Sequence, residues 1–227
     1  MLDRWFSALE QRQLFQAIGD TFILLSITGA LVLVLGILLG YALYLTDQKE
    51  VATTNKYLLA LHRILGLVID GFRSIPFVVL IILLIPFTII VVGTILGPMA
   101  ALPALIISAT PFYARIVYNA FREMPKGNYE ALQSMGVNPI KIFLINIKEA
   151  LPALISGFTV TLVTLVGFIA MAGVIGTGGL GNLAVRQFEI NPLNPPLLMY
   201  VSVLLLLLVV FIIQITGDFI AKKIDKR

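Results

Sequence analysis

MPKGNYEALQSMGVNPIKIFLINIKEALP, residues 124–152, decides how the rest of the chain is read. It is the longest interruption between apolar runs, and its polar residues read as two short helices instead of a linker. Asn128 is placed to cap the first, with Glu130 in its first turn, where the helix dipole favours a carboxylate. Tyr129–Met135 makes about two turns, and Gly136 can take the left-handed conformation that stops a helix. Asn138-Pro139 restarts one at once: Asn caps, and Pro sits at the first helical position, where its missing N–H is harmless. The second helix is expected through Ile140–Lys148, with Pro152 opening the next apolar run. Two short helices on a glycine elbow make a rigid polar projection. The same spacing also fits an ordinary amphipathic connector on a membrane surface.

Around this stretch the chain is lipid-soluble. Of 227 residues, 59% are hydrophobic and 12% charged, with a mean hydropathy of +1.01. A soluble domain carries about 25% charged residues, so this chain lacks the polar surface to cover a globule. The absence of cysteine excludes disulfides, thiolate metal sites and cysteine nucleophiles. A formal charge of +4 is explained by Lys and Arg retained on one side of a membrane, not by a nucleic-acid partner. The first twenty residues are charged and amphipathic, and the apolar run after them is too long for a cleavable signal.

Five spans are expected, at about residues 22–45, 73–92, 99–118, 153–174 and 197–216, in one transmembrane domain over 1–227 with the polar projection at 126–149. Phe22–Leu45 has 24 residues without a charge, about 36 Å as a helix, enough to cross. Its Gly36-x-x-x-Gly40 spacing permits close helix approach. Gly93–Pro98 is a turn by composition. The basic residues alternate. Arg4 and Arg12 precede the first span, and Lys49, Lys56, Arg63 and Arg73 fill the first connection. The second connection has none, and the third has Arg115, Arg122, Lys126, Lys141 and Lys148. The fourth has only Arg186, and the tail has Lys222, Lys223, Lys226 and Arg227. By the positive-inside rule the N-terminus lies outside, with the 124–152 stretch and the C-terminus in the cytoplasm.

Within the spans, Pro76, Pro86, Pro103 and Pro111 are expected to kink helices, which suits a bundle around a pathway. Thr164, Gly167, Phe168 and Met171 share one helix face. Packing explains Thr and Gly there, while the flexible thioether of Met171 suits a pathway lining. No Asp, Glu, Lys or Arg lies at membrane depth, which argues against a proton pump or an ion-coupled carrier. His62, the only histidine, is expected at the surface and cannot build a metal site. Gly176-Thr177-Gly178-Gly179-Leu180-Gly181 matches the dinucleotide fingerprint, yet it follows a membrane span and not a strand. Gly176, Gly178, Gly179 and Gly181 are therefore read as a break, with Asn182–Phe188 a short helix or re-entrant piece. There is no G-x-x-x-x-G-K-[S/T], so the chain has no P-loop of its own.

Glu130-Ala131-Leu132 followed three residues on by Gly136 resembles the EAA-x3-G signature of ABC importer permeases. The later I-x-L-P part is not matched: Asn146 and Lys148-Glu149 stand there, and Leu151-Pro152 follows. Residues 72–77 (FRSIPF), 85–88 (IPFT), 109–115 (ATPFYAR) and 166–181 (VGFIAMAGVIGTGGLG) are similar to the methionine-uptake permeases of that class. The resemblance implies an all-α integral membrane fold, a type I importer bundle of five transmembrane helices with cytoplasmic coupling helices, in a bacterial cytoplasmic membrane. Coupling to the ATPase would fall to Asn128, Glu130, Ala131, Gly136, Asn138 and Pro139, and the pathway to Thr164, Phe168 and Met171. It further implies a homodimer, a cytoplasmic ATPase dimer that binds the ATP and Mg, an extracytoplasmic substrate-binding lipoprotein, and no cofactor or catalysis in this chain. Another amino acid or small polar solute as cargo, and a channel or carrier acting alone, stay open from the residues.

Overall fold

The first helix starts well before the expected span. Ser7 and Glu10 form a capping box: the Ser7 N–H donates to Glu10 Oε2 (2.7 Å), and the Glu10 N–H donates to Ser7 Oγ (3.3 Å). From there α1 (Ala8–Thr46) runs unbroken through the charged beginning and the apolar stretch. In the computed structural model the described residues are 6–47, 56–124 and 127–225, with backbone alone for 127–130. Every regular element among them is helical. After α1 come α2 (Lys56–Ser74), α3 (Phe77–Leu83), α4 (Ile85–Val92), α5 (Pro98–Arg122), α6 (Gly127–Ser134), α7 (Pro139–Val174), α8 (Gly179–Ile190) and α9 (Leu197–Ile224).

Among the described residues four helices, α1, α5, α7 and α9, are long and apolar enough to cross a membrane, and a fifth crossing is reached if α2 and α3 count as one. The second span is where expectation and structure part most. Residues 73–92 do not form one kinked helix. Pro76, without an N–H, stands at the N-cap of α3, Leu84 ends α3 at φ −86° and ψ 1°, and Pro86 lies in the first turn of α4. Both prolines thus begin helices and neither kinks one. Pro103 and Pro111 lie inside α5, which continues past them.

A second correction concerns 139–174. The expected short helix to Lys148 and the expected span from Ala153 are one helix of 36 residues, with Pro152 inside it. A proline removes one N–H from the ladder and crowds the carbonyl four residues back, and a long apolar helix tolerates that where neighbours pack against it.

Two compact units make up the chain. One comprises the residues up to Val32, Ile75–Ala109 and Leu162–Gln214. Its core joins Leu14 and Ala17 of α1, Leu180 and Leu183 of α8 and Leu198 of α9. The other comprises Leu33–Ser74, Thr110–Thr161 and the residues from Ile215 on. There α1 and α5 meet at the Gly36–Gly40 seam. A Cβ at Gly36 would lie 2.5 Å from Tyr113 Cδ1, and one at Gly40 would lie 2.5 Å from the Ala114 carbonyl oxygen and 2.6 Å from Val117 Cβ. Leu43, Ile69, Ala114 and Tyr118 close this core. Tyr113, 1% exposed, donates its hydroxyl to the Leu154 carbonyl (3.2 Å), which ties α5 to α7.

Gly40→Leu is therefore expected to lower the thermal midpoint of the solubilised protein by several degrees, an overpacking cost of about 1–3 kcal/mol. Gly19→Ala on the same helix, where a Cβ meets nothing within 4 Å, should leave the midpoint unchanged or raise it. Equal midpoints for Gly40→Leu and the unmodified chain would remove the seam from this account.

Candidate functional site

Two places carry the residues singled out from the sequence, one in each unit. In the second unit α6 stops at Gly136 with a Schellman motif. The Gly136 N–H donates to the Gln133 carbonyl (2.9 Å) and the Val137 N–H to the Leu132 carbonyl (3.1 Å). Gly136 sits at φ +70°, which only glycine adopts without strain. Two residues later Asn138 Oδ1 accepts the Ile140 N–H (2.9 Å), and the Asn138 carbonyl accepts the Ile142 N–H (3.1 Å), so α7 is capped from its first turn with Pro139 at its start.

The elbow is exposed on one side and anchored on the other. Ala131, Gly136, Asn138 and Pro139 are exposed, and the apolar side chains of Met135 and Ile140 are 68% and 69% exposed. Ile142 and Asn146, on the opposite face of α7, are buried. Phe143 packs edge-on against Tyr41 of α1, with centroids 4.6 Å apart, and Tyr41 meets Phe121 of α5 at 5.2 Å. Asn128 is not a cap, because α6 begins at Gly127. Its side chain and that of Glu130 lie outside the described residues, as does Lys126. Asn146, where the importer signature has Ile, is 1% exposed and its Nδ2 has no partner among the described residues. An apolar residue would fit that position, and nothing in the structure explains the amide.

In the same unit, α1, α2 and α5 are joined by a polar cluster that the sequence did not reveal. Tyr118 donates its hydroxyl to Asp47 Oδ2 (2.6 Å), Asp47 Oδ1 lies 3.6 Å from His62 Nε2, and His62 Nδ1 is 3.1 Å from Thr46 Oγ1. His62 is thus half-buried and partnered, not the lone surface residue expected. Asp70 pairs with Arg73 (3.5 Å) and Arg115 (3.8 Å), and Arg115 lies over the Tyr118 ring. Among the described residues no group of His, Asp and Glu is arranged to hold a metal ion.

In the first unit Thr164, Phe168 and Met171 lie on α7 as the spacing requires. Phe168 is stacked on Phe77 (4.7 Å, 10°), Met171 is 47% exposed, and a Cβ at Gly167 would meet nothing within 4 Å. Gly167 therefore serves no close approach within the chain; on this face Gly167 and Met171 are exposed, while Thr164 and Phe168 are half-buried. The glycine-rich break follows, with Gly176, Gly178 and Gly179 at φ +90°, +83° and +82°. Gly181 is not part of the break: it is in α8, where a Cβ would lie 2.5 Å from Ala170 Cα. The break is held tightly. Gly178 has no side chain to cap α8, and α1 supplies the cap instead. The Asp20 carboxylate accepts the Gly179 N–H, and Thr21 Oγ1 accepts the Leu180 N–H (2.9 Å). The Asn182 amide donates to the Gly173 carbonyl (2.7 Å), closing the corner from the α7 side.

Four apolar helices of membrane-spanning length, buried prolines and a polar elbow define a multi-pass membrane protein. The chain belongs to the family of binding-protein-dependent transport system inner membrane components, whose family model matches residues 51–227. As a membrane component of a transport system it is a permease and not an enzyme. It is 45% identical over 229 residues to the methionine import system permease protein MetP of Bacillus subtilis, covering 100% of both chains. A probable D-methionine transport system permease protein MetI of Vibrio cholerae is 42% identical over 229 residues, with 99% of this chain and 97% of that one covered. A solved structure of the MetNI methionine ABC transporter in an inward-facing conformation is similar at a TM-score of 0.88 and 34% identity, with 97% of this chain and 100% of that chain covered.

Thr21→Val keeps the side-chain shape and leaves the buried Leu180 N–H without its acceptor. The expected cost is about 1–3 kcal/mol, read as faster amide exchange through the first turn of α8. Thr21→Ser should restore protection. Equal exchange in all three proteins would rule out the shared cap.

Proposed function

We propose that this chain is the permease subunit of an ATP-driven methionine importer. It works as a pair of identical copies, and a cytoplasmic ABC ATPase dimer docks on the elbow formed by α6 and the start of α7. The ATPase binds the ATP and Mg; this chain binds neither. A substrate-binding lipoprotein delivers cargo at the outer face. The N-terminus lies outside, and the elbow and C-terminus lie in the cytoplasm, as the distribution of Lys and Arg directs.

The observation that carries this reading is the elbow: a Schellman stop and an Asn-Pro start with exposed Met135 and Ile140, on the stretch that resembles the importer signature. Docking pays off mechanically only if the docked element is stiff, and both helix ends here are capped, with Phe143 and Ile142 fixing the base. Full-length similarity to methionine permeases supports the cargo, and similarity to an inward-facing transporter supports a cycle of alternating access. ATP binding closes the ATPase dimer and moves the elbow, and α7 carries that movement because no break intervenes before Val174. Glu130 and Asn128 belong to the docking surface, and Thr164, Phe168 and Met171 to the pathway wall beside the two-fold axis.

Gly136→Pro removes the N–H that the Gln133 carbonyl accepts and forbids φ +70°. Reconstituted with its ATPase and binding protein, the variant is expected to insert and to permit ATP hydrolysis, with methionine uptake lost. Uptake at the unmodified rate would refute the elbow as the coupling point. For the pathway, Met171→Cys is expected to crosslink to the same position of the partner copy in at least one nucleotide state. No crosslink in any state would move Met171 off the axis.

A further inference from the structure

Arg186 is the only basic residue in the connection that the topology places outside, and retention of positive charge in the cytoplasm gives no reason for it there. The structure shows where it stands. It lines a cleft of about 630 Å³ between the start of α1 and α8. Among the described residues Arg186 makes no ion pair, and neither does Glu189, although the two are one turn apart on α8 and both line the cleft. Asp20 lines it as well, with one hydrogen bond from the Gly179 N–H. Gln187 is 8% exposed and turns to the same cleft, with no hydrogen-bond partner among the described residues. Ala17, Leu183 and Ile190 supply an apolar wall.

A half-enclosed space holding a cation, two carboxylates and a carboxamide, none of them neutralising another, is complementary to a ligand with both charges. We propose that the cleft is a receiving site for a free α-amino acid zwitterion, one per copy. Arg186 and Gln187 hold the α-carboxylate, Glu189 and Asp20 take the ammonium, and an apolar side chain lies on Leu183 and Ile190. Guanidinium–carboxylate pairing sets the orientation because its geometry is bidentate. This rests on the importer reading above and adds to it a station at the outer end, occupied before the pathway opens.

The test uses the permease–ATPase complex in lipid nanodiscs without binding protein, with radiolabelled L-methionine as the probe. Saturable binding is expected at millimolar concentration or below, weakened about tenfold or more by Arg186→Gln, a loss equal to about 1.4 kcal/mol. Gln187→Leu should weaken it too, and Arg186→Lys should retain part of it. Methionine methyl ester and N-acetylmethionine, each missing one charge, should compete poorly. If the unmodified complex shows no saturable binding, or if Arg186→Gln binds as well as the unmodified complex, the site is refuted. Loss of binding-protein association in Arg186→Glu, with no methionine binding by the unmodified complex, would make the cleft a protein socket and overturn the proposal. Uptake in vesicles with the full system separates the two readings. Import by unmodified vesicles with a failed binding test removes only the cleft, whereas no import of methionine removes the importer reading.

Discussion

The second unit depends on the contact of α1 with α5 at Gly36 and Gly40. With no side chain at either position, the two backbones approach until Tyr113, Ala114 and Val117 fill the space. In lipid, apolar burial gives helices little reason to associate, and close packing of this kind does the work instead. Much follows from it. Tyr113, fixed against α1, reaches the Leu154 carbonyl with its hydroxyl and so positions α7. Five residues further along α5, Tyr118 reaches Asp47 just past the end of α1, and Asp47 in turn holds His62 of α2. A side chain at Gly40 would disturb this series of contacts at its origin.

The first unit solves a different problem. A chain that leaves one helix and enters another must satisfy the C=O and N–H groups freed at both ends. At Gly176–Gly179 the backbone turns through three positive-φ glycines, and the buried start of α8 is capped by α1, 159 residues away along the chain. The cap also orients α8 so that Arg186, Gln187 and Glu189 line one cleft. The same geometry that closes the backbone thus shapes the polar surface proposed to receive a ligand.

Local signals were legible in the sequence, and long-range ones were not. The glycine spacing on α1, the stop at Gly136 and the Asn138-Pro139 start each follow from the chemistry of one or two residues, and each has the expected geometry. Asn128 was misread because Gly127 already begins the helix. The continuity of α7 was misread because Pro152 looks like a boundary by rules calibrated on soluble helices. The Ser7–Glu10 capping box is legible in the sequence, and it starts α1 well ahead of the charge-free run. No periodicity could have paired Tyr118 with Asp47, which are 71 residues apart, or shown that Arg186 shares a cleft with Asp20.

The uninterrupted α7 has a mechanical meaning. Held beside Pro152 by the hydrogen bond from Tyr113 to the Leu154 carbonyl, α7 turning as one rod is a lever with unequal arms, about 20 Å from Pro152 to Pro139 and about 33 Å to Val174. A rotation of about 10° about that fulcrum moves the Pro139 end by about 3.5 Å and the Val174 end by about 6 Å. Such an arrangement multiplies displacement by about 1.7 and divides force by the same factor. A short stroke from a strong actuator thus becomes a longer, gentler one at the far end.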